Sequence, residues 1–193
     1  MKSFFIGGVN GVGKSSIIYS ICKVLSHAQK VADSSDFMEY LGLERNNYDT
    51  LRLMDSGLKN YKYEKFVREI ISKNRNSNNI LLFDGHYLNF INDIKIDVTG
   101  NWMIYLDELI LIDTTTNILY NNILKDMHIK DREILKIIKN KRLAFKRLSL
   151  ELSATRDKYR DICKVFGKNE TIIYNNRSID NSVDQILEII TKS

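Results

Sequence analysis

The sequence predicts an α/β protein in which a parallel sheet carries helices on both faces, and three observations predict it. Apolar runs alternate with helical patterns along the whole chain, the rhythm of strand-helix-strand units. The runs Phe4–Ile6, Ile80–Phe83 and Leu109–Ile112 are apolar at every position, as strands covered on both faces must be. Between the first run and the first helical pattern lies Gly8-Val9-Asn10-Gly11-Val12-Gly13-Lys14-Ser15, a glycine-rich junction of strand and helix.

That octapeptide fits G-x-x-x-x-G-K-[ST], the Walker A phosphate-binding loop, at every specified position. Glycines let successive backbone N–H groups turn inward around an anion, and the following helix aims its positive dipole end at the same point. Gly8, Asn10, Gly11, Val12, Gly13, Lys14, Ser15 and Ser16 are therefore the expected nucleotide-binding residues. Lys14 is placed to reach the β- and γ-phosphates and act in catalysis, and Ser15 to offer its hydroxyl to Mg²⁺.

Composition bounds the rest. The 193 residues suit a single domain over 1–193, and 44% hydrophobic with 27% charged residues is an ordinary globular balance. A formal charge of +5 is compatible with holding anionic nucleotides. The sequence carries no zinc, helix-turn-helix or base-stacking motif, so nucleic acid is not the expected partner, although the basic stretch from Lys125 to Lys168 leaves room for a structured RNA. Cys22 and Cys163 both fall in apolar helical patterns, which favours buried thiols in a reducing compartment over a disulfide. With no signal peptide and no apolar run of about twenty residues, the expected location is the cytoplasm, with no membrane partner.

In chain order, Ile17, Ile18, Ile21 and Cys22 set the first helix, and Gln29-Lys30-Val31-Ala32-Asp33 a second strand. Ser34-Ser35-Asp36 reads as an N-cap cluster, in which Asp36 is either a cap or a substrate or magnesium contact near the phosphates. From 45 to 72, Leu51, Leu58, Phe66 and Ile70 recur with helical period, predicting two or three helices joined at Gly57. Within them Arg45, Arg52 and Arg68 have the planar fork that suits a second phosphate. Ile80–Phe83 ends in Asp84, the form of a Walker B strand, whose carboxylate would hold a magnesium ligand. His86 follows at the same rim, as a substrate contact or a loop hydrogen bond.

Residues 87–100 read as a loop or irregular hairpin. Leu109–Asp113 is another buried strand, and Thr114-Thr115-Thr116 offers N-caps for a helix over Ile118–Leu124. The charged stretch 125–133, with Lys125, Lys130 and Arg132, cannot bury much of itself and suits a flap that brings cations to the site. One helix or a pair follows through Phe145, Leu152 and Tyr159, then a strand Thr171–Tyr174, the loop Asn175-Asn176-Arg177, and a closing helix from about Asp180.

These pieces together resemble the nucleoside monophosphate kinases, and the chain is similar in particular to the archaeal-type adenylate kinases. The likeness is carried by Gly8 to Ser15, by Ile80–Phe83 with Asp84-Gly85-His86, by the strand ending Asp113-Thr114-Thr115, and by Ile172-Ile173-Tyr174-Asn175-Asn176-Arg177. It implies a P-loop three-layer fold with a five-stranded parallel sheet in the order 2-3-1-4-5. It also implies a monophosphate-binding segment at 45–72 and a short lid at 125–133. By that likeness ATP is the co-substrate with Mg²⁺, Ser15 and Asp84 serve the metal, and Lys14, Asp84 and the lid's Arg132 are catalytic. Asn176 and Arg177 would touch nucleotide, and Asp36, Arg45, Arg52 and His86 the acceptor, AMP. Two positions depart from the pattern: Asn121-Asn122 stands where the family carries adjacent arginines, and Leu88 where bacterial adenylate kinases carry one.

Two other activities fit the same residues. A kinase of a nucleoside or small-metabolite hydroxyl would need a general base, for which Asp33, Asp36 and Asp84 are candidates. A P-loop ATPase switch would hydrolyse ATP instead; the guanine-specificity pattern is absent, since Asn140-Lys141-Arg142-Leu143 lacks its aspartate.

Overall fold

A computed structural model of the chain describes residues 1–32, 34–45, 48–91, 94–126 and 133–192. Strand β1 (Lys2–Gly7) runs through the centre of the sheet, and its alternate side chains divide the core. Phe4 and Ile6 face one layer, with Leu82, Ile110 and Ile112 from neighbouring strands, and Phe5 faces the other with Leu81, Phe83, Leu109 and Leu111. Period-two alternation of apolar residues on both faces needs helices on both faces.

On the first face lie α1 (Lys14–Val24), α5 (Thr116–Asp126) and α7 (Ile179–Lys192), which bury Ile17, Ile21, Leu119, Ile186 and Ile190. On the second face, α2 (Ser34–Tyr40) and α4 (Ser56–Asn74) bring Phe37, Phe66 and Val67 against a 3₁₀ turn at Asn101–Tyr105 that inserts Trp102 and Met103. The long helix α6 (Lys141–Phe166) contributes Leu148 and Leu152 to the first cluster and Tyr159, Ile162 and Cys163 to the second. Burial of these apolar side chains, each contributing about 1.5–3 kcal/mol when fully covered, holds the helices against the two faces of the sheet.

β2 (Ala28–Val31), β3 (Ile80–Gly85), β6 (Glu108–Asp113) and β7 (Thr171–Tyr174) complete the main sheet in the order β2-β3-β1-β6-β7, with every pairing parallel. This is the 2-3-1-4-5 arrangement of the sequence reading. The numbering shifts because 87–100 folds into an antiparallel hairpin, β4 (Leu88–Ile91) with β5 (Ile94–Asp97), outside the main sheet. Arg147 of α6 lies over the Phe90 ring and Lys158 pairs with Asp97 at 2.5 Å, so the hairpin is fastened to α6. Leu88 is buried within it.

Several boundaries differ from expectation. Ser34, Ser35 and Asp36 lie inside the first turn of α2 and do not precede it; position 33 lies outside the described residues. Gly57 is likewise inside α4, not a joint. The break between α3 (Tyr48–Leu53) and α4 falls at Met54-Asp55, where the Asp55 carboxylate accepts from the Leu58 N–H at 2.9 Å and caps α4. A carboxylate cap is the stronger stop signal there, because glycine brings no acceptor. In the stretch expected to form a lid, Lys125 lies in the last turn of α5, which ends at Asp126, and Glu133–Lys136 is a 3₁₀ turn. Lys130 and Arg132 lie outside the described residues. No described helix is long and apolar enough to cross a membrane.

Candidate active site

All five main strands are parallel, so their carboxyl ends share one edge, where ligands of open α/β sheets bind. The phosphate loop leaves β1 at that edge. Gly8 has φ +153°, and a Cβ there would lie 2.4 Å from the Ile112 carbonyl oxygen. Gly13 has φ +96° and is the N-cap of α1, with no side chain to cap it. The first-turn amides of α1 are thus left to an outside acceptor.

The loop carbonyls, by contrast, are taken. Lys14, only 7% exposed, donates its ammonium to the Gly8 and Val9 oxygens at 2.9 Å each. Asn122 of α5 donates to Gly11 O at 3.1 Å, and Asn175, after β7, donates to Val12 O at 2.8 Å. Tying these carbonyls down fixes the loop in a shape suited to turning backbone N–H groups toward an anion, as in a backbone nest. Asn122 therefore has a structural task at the position where the sequence resemblance expects arginine. Val12 is fully buried, so its share in the site is its backbone, and Asn10 and Ser16 are exposed.

His86 braces the same loop, its Nδ1 lying 2.7 Å from Gly8 O. A carbonyl only accepts, so Nδ1 carries the proton. Burial, and secondarily the Lys14 ammonium, lower the His86 pKa to about 3 against the opposing pull of the Gly8 hydrogen bond. The ring is neutral at ordinary pH. Of its two sequence readings, the structure shows the loop hydrogen bond.

Asp84 emerges at the carboxyl end of β3, beside β1. Its Oδ2 accepts from the Ser15 hydroxyl at 2.9 Å and has the Lys30 ammonium 3.4 Å away. A hydroxyl and a carboxylate in contact form a hard-oxygen donor pair that suits Mg²⁺, which keeps several waters and takes its other oxygens from phosphates. Among the described residues no group of three His, Cys, Asp or Glu could cage a metal on its own.

On the far side of the loop Asp113 is buried, 2% exposed in its side chain, at the end of β6. Arg156 of α6 grips it through Nε at 2.5 Å and Nη2 at 3.1 Å, and also reaches Thr114 O at 3.4 Å. Asn176 Oδ1 accepts from Thr114 Oγ1 at 3.0 Å and the Thr115 N–H at 3.2 Å, joining the loop after β7 to the start of α5, while Arg177 is exposed. Sequence reading did not single out Arg156 or Lys30. Each is one cation among many, and only the fold shows which carboxylate it meets.

Of the remaining expected acceptor residues, Asp36 and Arg45 lie together and Arg68 lies elsewhere. Arg45 is exposed, paired with Glu39 at 2.8 Å and with Asp36 at 3.7 Å, and Arg68 lies over the Tyr105 ring. Arg52 belongs to α3, but its side chain is outside what the structure describes.

No family model matches the sequence, nor does any curated protein. Solved structures do resemble the fold. Shikimate kinase from Acinetobacter baumannii in complex with shikimate has a TM-score of 0.59 at 13% identity, covering 100% of this chain and 94% of that one. Shikimate kinase from Bacteroides thetaiotaomicron gives 0.56 at 12% identity over 98% of both chains. An uncharacterized protein from Eubacterium ventriosum gives 0.56 at 9% identity, covering 100% of this chain and 99% of that one. At such identities the likeness is one of fold, and the chain has the α/β P-loop kinase fold of these shikimate kinases.

Proposed function

We propose that the chain is a kinase that transfers the γ-phosphoryl group of ATP to a hydroxyl of a small metabolite. The observation that carries this reading is the Ser15–Asp84 contact, which joins the phosphate loop to the end of β3 beside Lys14. Loop amides and Lys14 would hold the phosphates, and Ser15 with Asp84 would hold Mg²⁺. The ion, when bound, neutralises charge on the phosphate oxygens.

Transfer then needs positioning and a proton acceptor. The acceptor oxygen forms a bond to the γ-phosphorus as the bond from that phosphorus to the bridging oxygen of ADP breaks. The hydroxyl proton goes to a carboxylate. Asp84 is in contact with Ser15 and Lys30 where it would serve the metal, and Asp36, in the first turn of the helix that follows β2 and 3.7 Å from Arg45, is the described candidate base. His86, neutral and hydrogen-bonded to Gly8, serves as a positioning residue for the loop.

A hydroxyl acceptor is favoured over the AMP that the sequence resemblance suggests. Arg45 and Arg68 are engaged by carboxylates and a ring, and the named solved neighbours are shikimate kinases. The test is ³¹P NMR of protein with Mg²⁺ and ATP, alone and with shikimate, other hydroxylated acids, nucleosides and AMP. A new phosphomonoester with one hydroxyl acceptor supports the proposal, and Lys14→Met should cut its rate by about 10²–10³. ADP formed from AMP would restore the monophosphate reading. ATP hydrolysis indifferent to every acceptor would refute both and favour a switch.

A further inference from the structure

We infer that Lys30 is a resident cation on the Asp84 carboxylate which a divalent metal must displace, so that this lysine sets the metal demand of the site. The inference rests on the nucleotide-and-metal reading given above.

Asp84 Oδ2 is the atom in question, because it accepts from Ser15 Oγ at 2.9 Å and lies 3.4 Å from Lys30 Nζ. Lys30 comes from the neighbouring edge strand, where it pairs in register with Leu82, two residues before Asp84. It shares a strand face with Ala28, which packs in the cluster that includes Ile17, Ile18 and Ile21 of α1. Its stem thus rises on the α1 side, the side on which Ser15 stands. A lysine ammonium is a compact point charge on a flexible four-carbon stem. It neutralises the carboxylate when no metal is present and repels a dication brought to the same oxygen.

The fold also gives the ammonium somewhere to go. A cavity of about 380 Å³ opens beside α1, lined by Ser15, Tyr19, Cys22, Gln29 and Lys30 among others. Lys30 is held in register with Leu82 by the parallel pairing of β2 with β3, so a swing into this space is a motion of the side chain with the strand held in place. Contact with Asp84 and withdrawal into the cavity are two positions of one side chain, and the metal selects between them.

The experiment uses Mn²⁺ as a spectroscopic substitute for Mg²⁺. Free Mn²⁺ is read by electron paramagnetic resonance while full-length wild type, Lys30→Met and Lys30→Arg are titrated at saturating ADP, and ADP affinity is measured separately in EDTA. Lys30→Met should bind Mn²⁺ about tenfold more tightly, the worth of a part-exposed charge pair doubled for a dication. Lys30→Arg should stay near wild type, and metal-free ADP affinity should change less than about twofold. Equal or weaker Mn²⁺ binding by Lys30→Met overturns the inference. So does a marked loss of metal-free ADP affinity, which would make Lys30 a phosphate ligand. Wild type that binds neither ADP nor Mn²⁺ overturns the functional reading itself, and the inference with it.

Discussion

Replacing Arg156 by Met should destabilise the protein by about 3 kcal/mol, and the reason is the carboxylate left behind. Asp113 is 2% exposed in its side chain, and its two oxygens take the Arg156 guanidinium at 2.5 and 3.1 Å. Removing one partner of a buried pair typically costs about 3–5 kcal/mol, because the surviving charge is desolvated without compensation. The low end applies here, since Arg156 is 33% exposed and water can follow its removal to the carboxylate. With a urea dependence of about 2.5 kcal/mol per molar for a chain of this size, the unfolding midpoint should fall by about 1.2 M. Asp113→Asn should cost only about 1.5 kcal/mol, because the freed guanidinium can turn to solvent. The double variant should lose about 2.5 kcal/mol, less than the sum, for a coupling of about 2 kcal/mol. Urea titration by circular dichroism of the four proteins measures this cycle. A loss below about 1 kcal/mol for Arg156→Met, or strict additivity, would refute the claim that Arg156 neutralises the end of β6.

Two further predictions concern the phosphate loop. The His86 pKa lies near 3 in the folded chain against 6.5 for an ordinary histidine, so below pH 6.5 the unfolded chain binds the extra proton. Stability should therefore fall as the pH drops from about 6.5 toward 3, with a slope approaching 1.4 kcal/mol per pH unit. His86→Gln should flatten that part of the curve in thermal melts taken across pH 4–7, and an unchanged slope would assign the acid sensitivity elsewhere. Gly13→Ala should weaken ATP binding by at least about tenfold, as read by isothermal calorimetry. Its φ of +96° is strained for alanine, and the new Cβ would sit 2.7 Å from Asn175 Nδ2, the group that holds Val12 O. Wild-type affinity in that variant would show that the Asn175 brace is dispensable.

How much of this was legible in the sequence depends on how local the cause is. The phosphate loop could be read because each position answers to its own backbone: glycine for positive φ at 8 and 13, then lysine and serine at the mouth of α1. The central strands could be read because a strand covered on both faces has no polar position to disguise it, and Asp84 stood out as the first charge after four such residues. The acceptor side was not legible in this way. Arg45 and Arg68 have the composition of a phosphate clamp, yet a cation's partner is fixed by whatever packs beside it, and here that is Glu39 with Asp36 for one and the Tyr105 ring for the other. Lys30 and Arg156 show the converse. Neither belongs to a motif, but parallel pairing of β2 with β3 brings Lys30 to Asp84, and the path of α6 brings Arg156 to Asp113, across 54 and 43 residues of sequence. Asn122 joins them, since its position argued for a missing arginine until its bond to Gly11 O gave it a reason of its own. On the kinase reading proposed above, the residues for the phosphoryl donor are thus concentrated in one stretch of chain, while those that would meet the acceptor come from separate segments that only the fold brings together. Substitutions in Gly8–Ser15 should consequently disturb ATP binding with every acceptor alike, whereas Asp36→Asn should slow phosphoryl transfer and leave the ATP affinity measured by calorimetry in place.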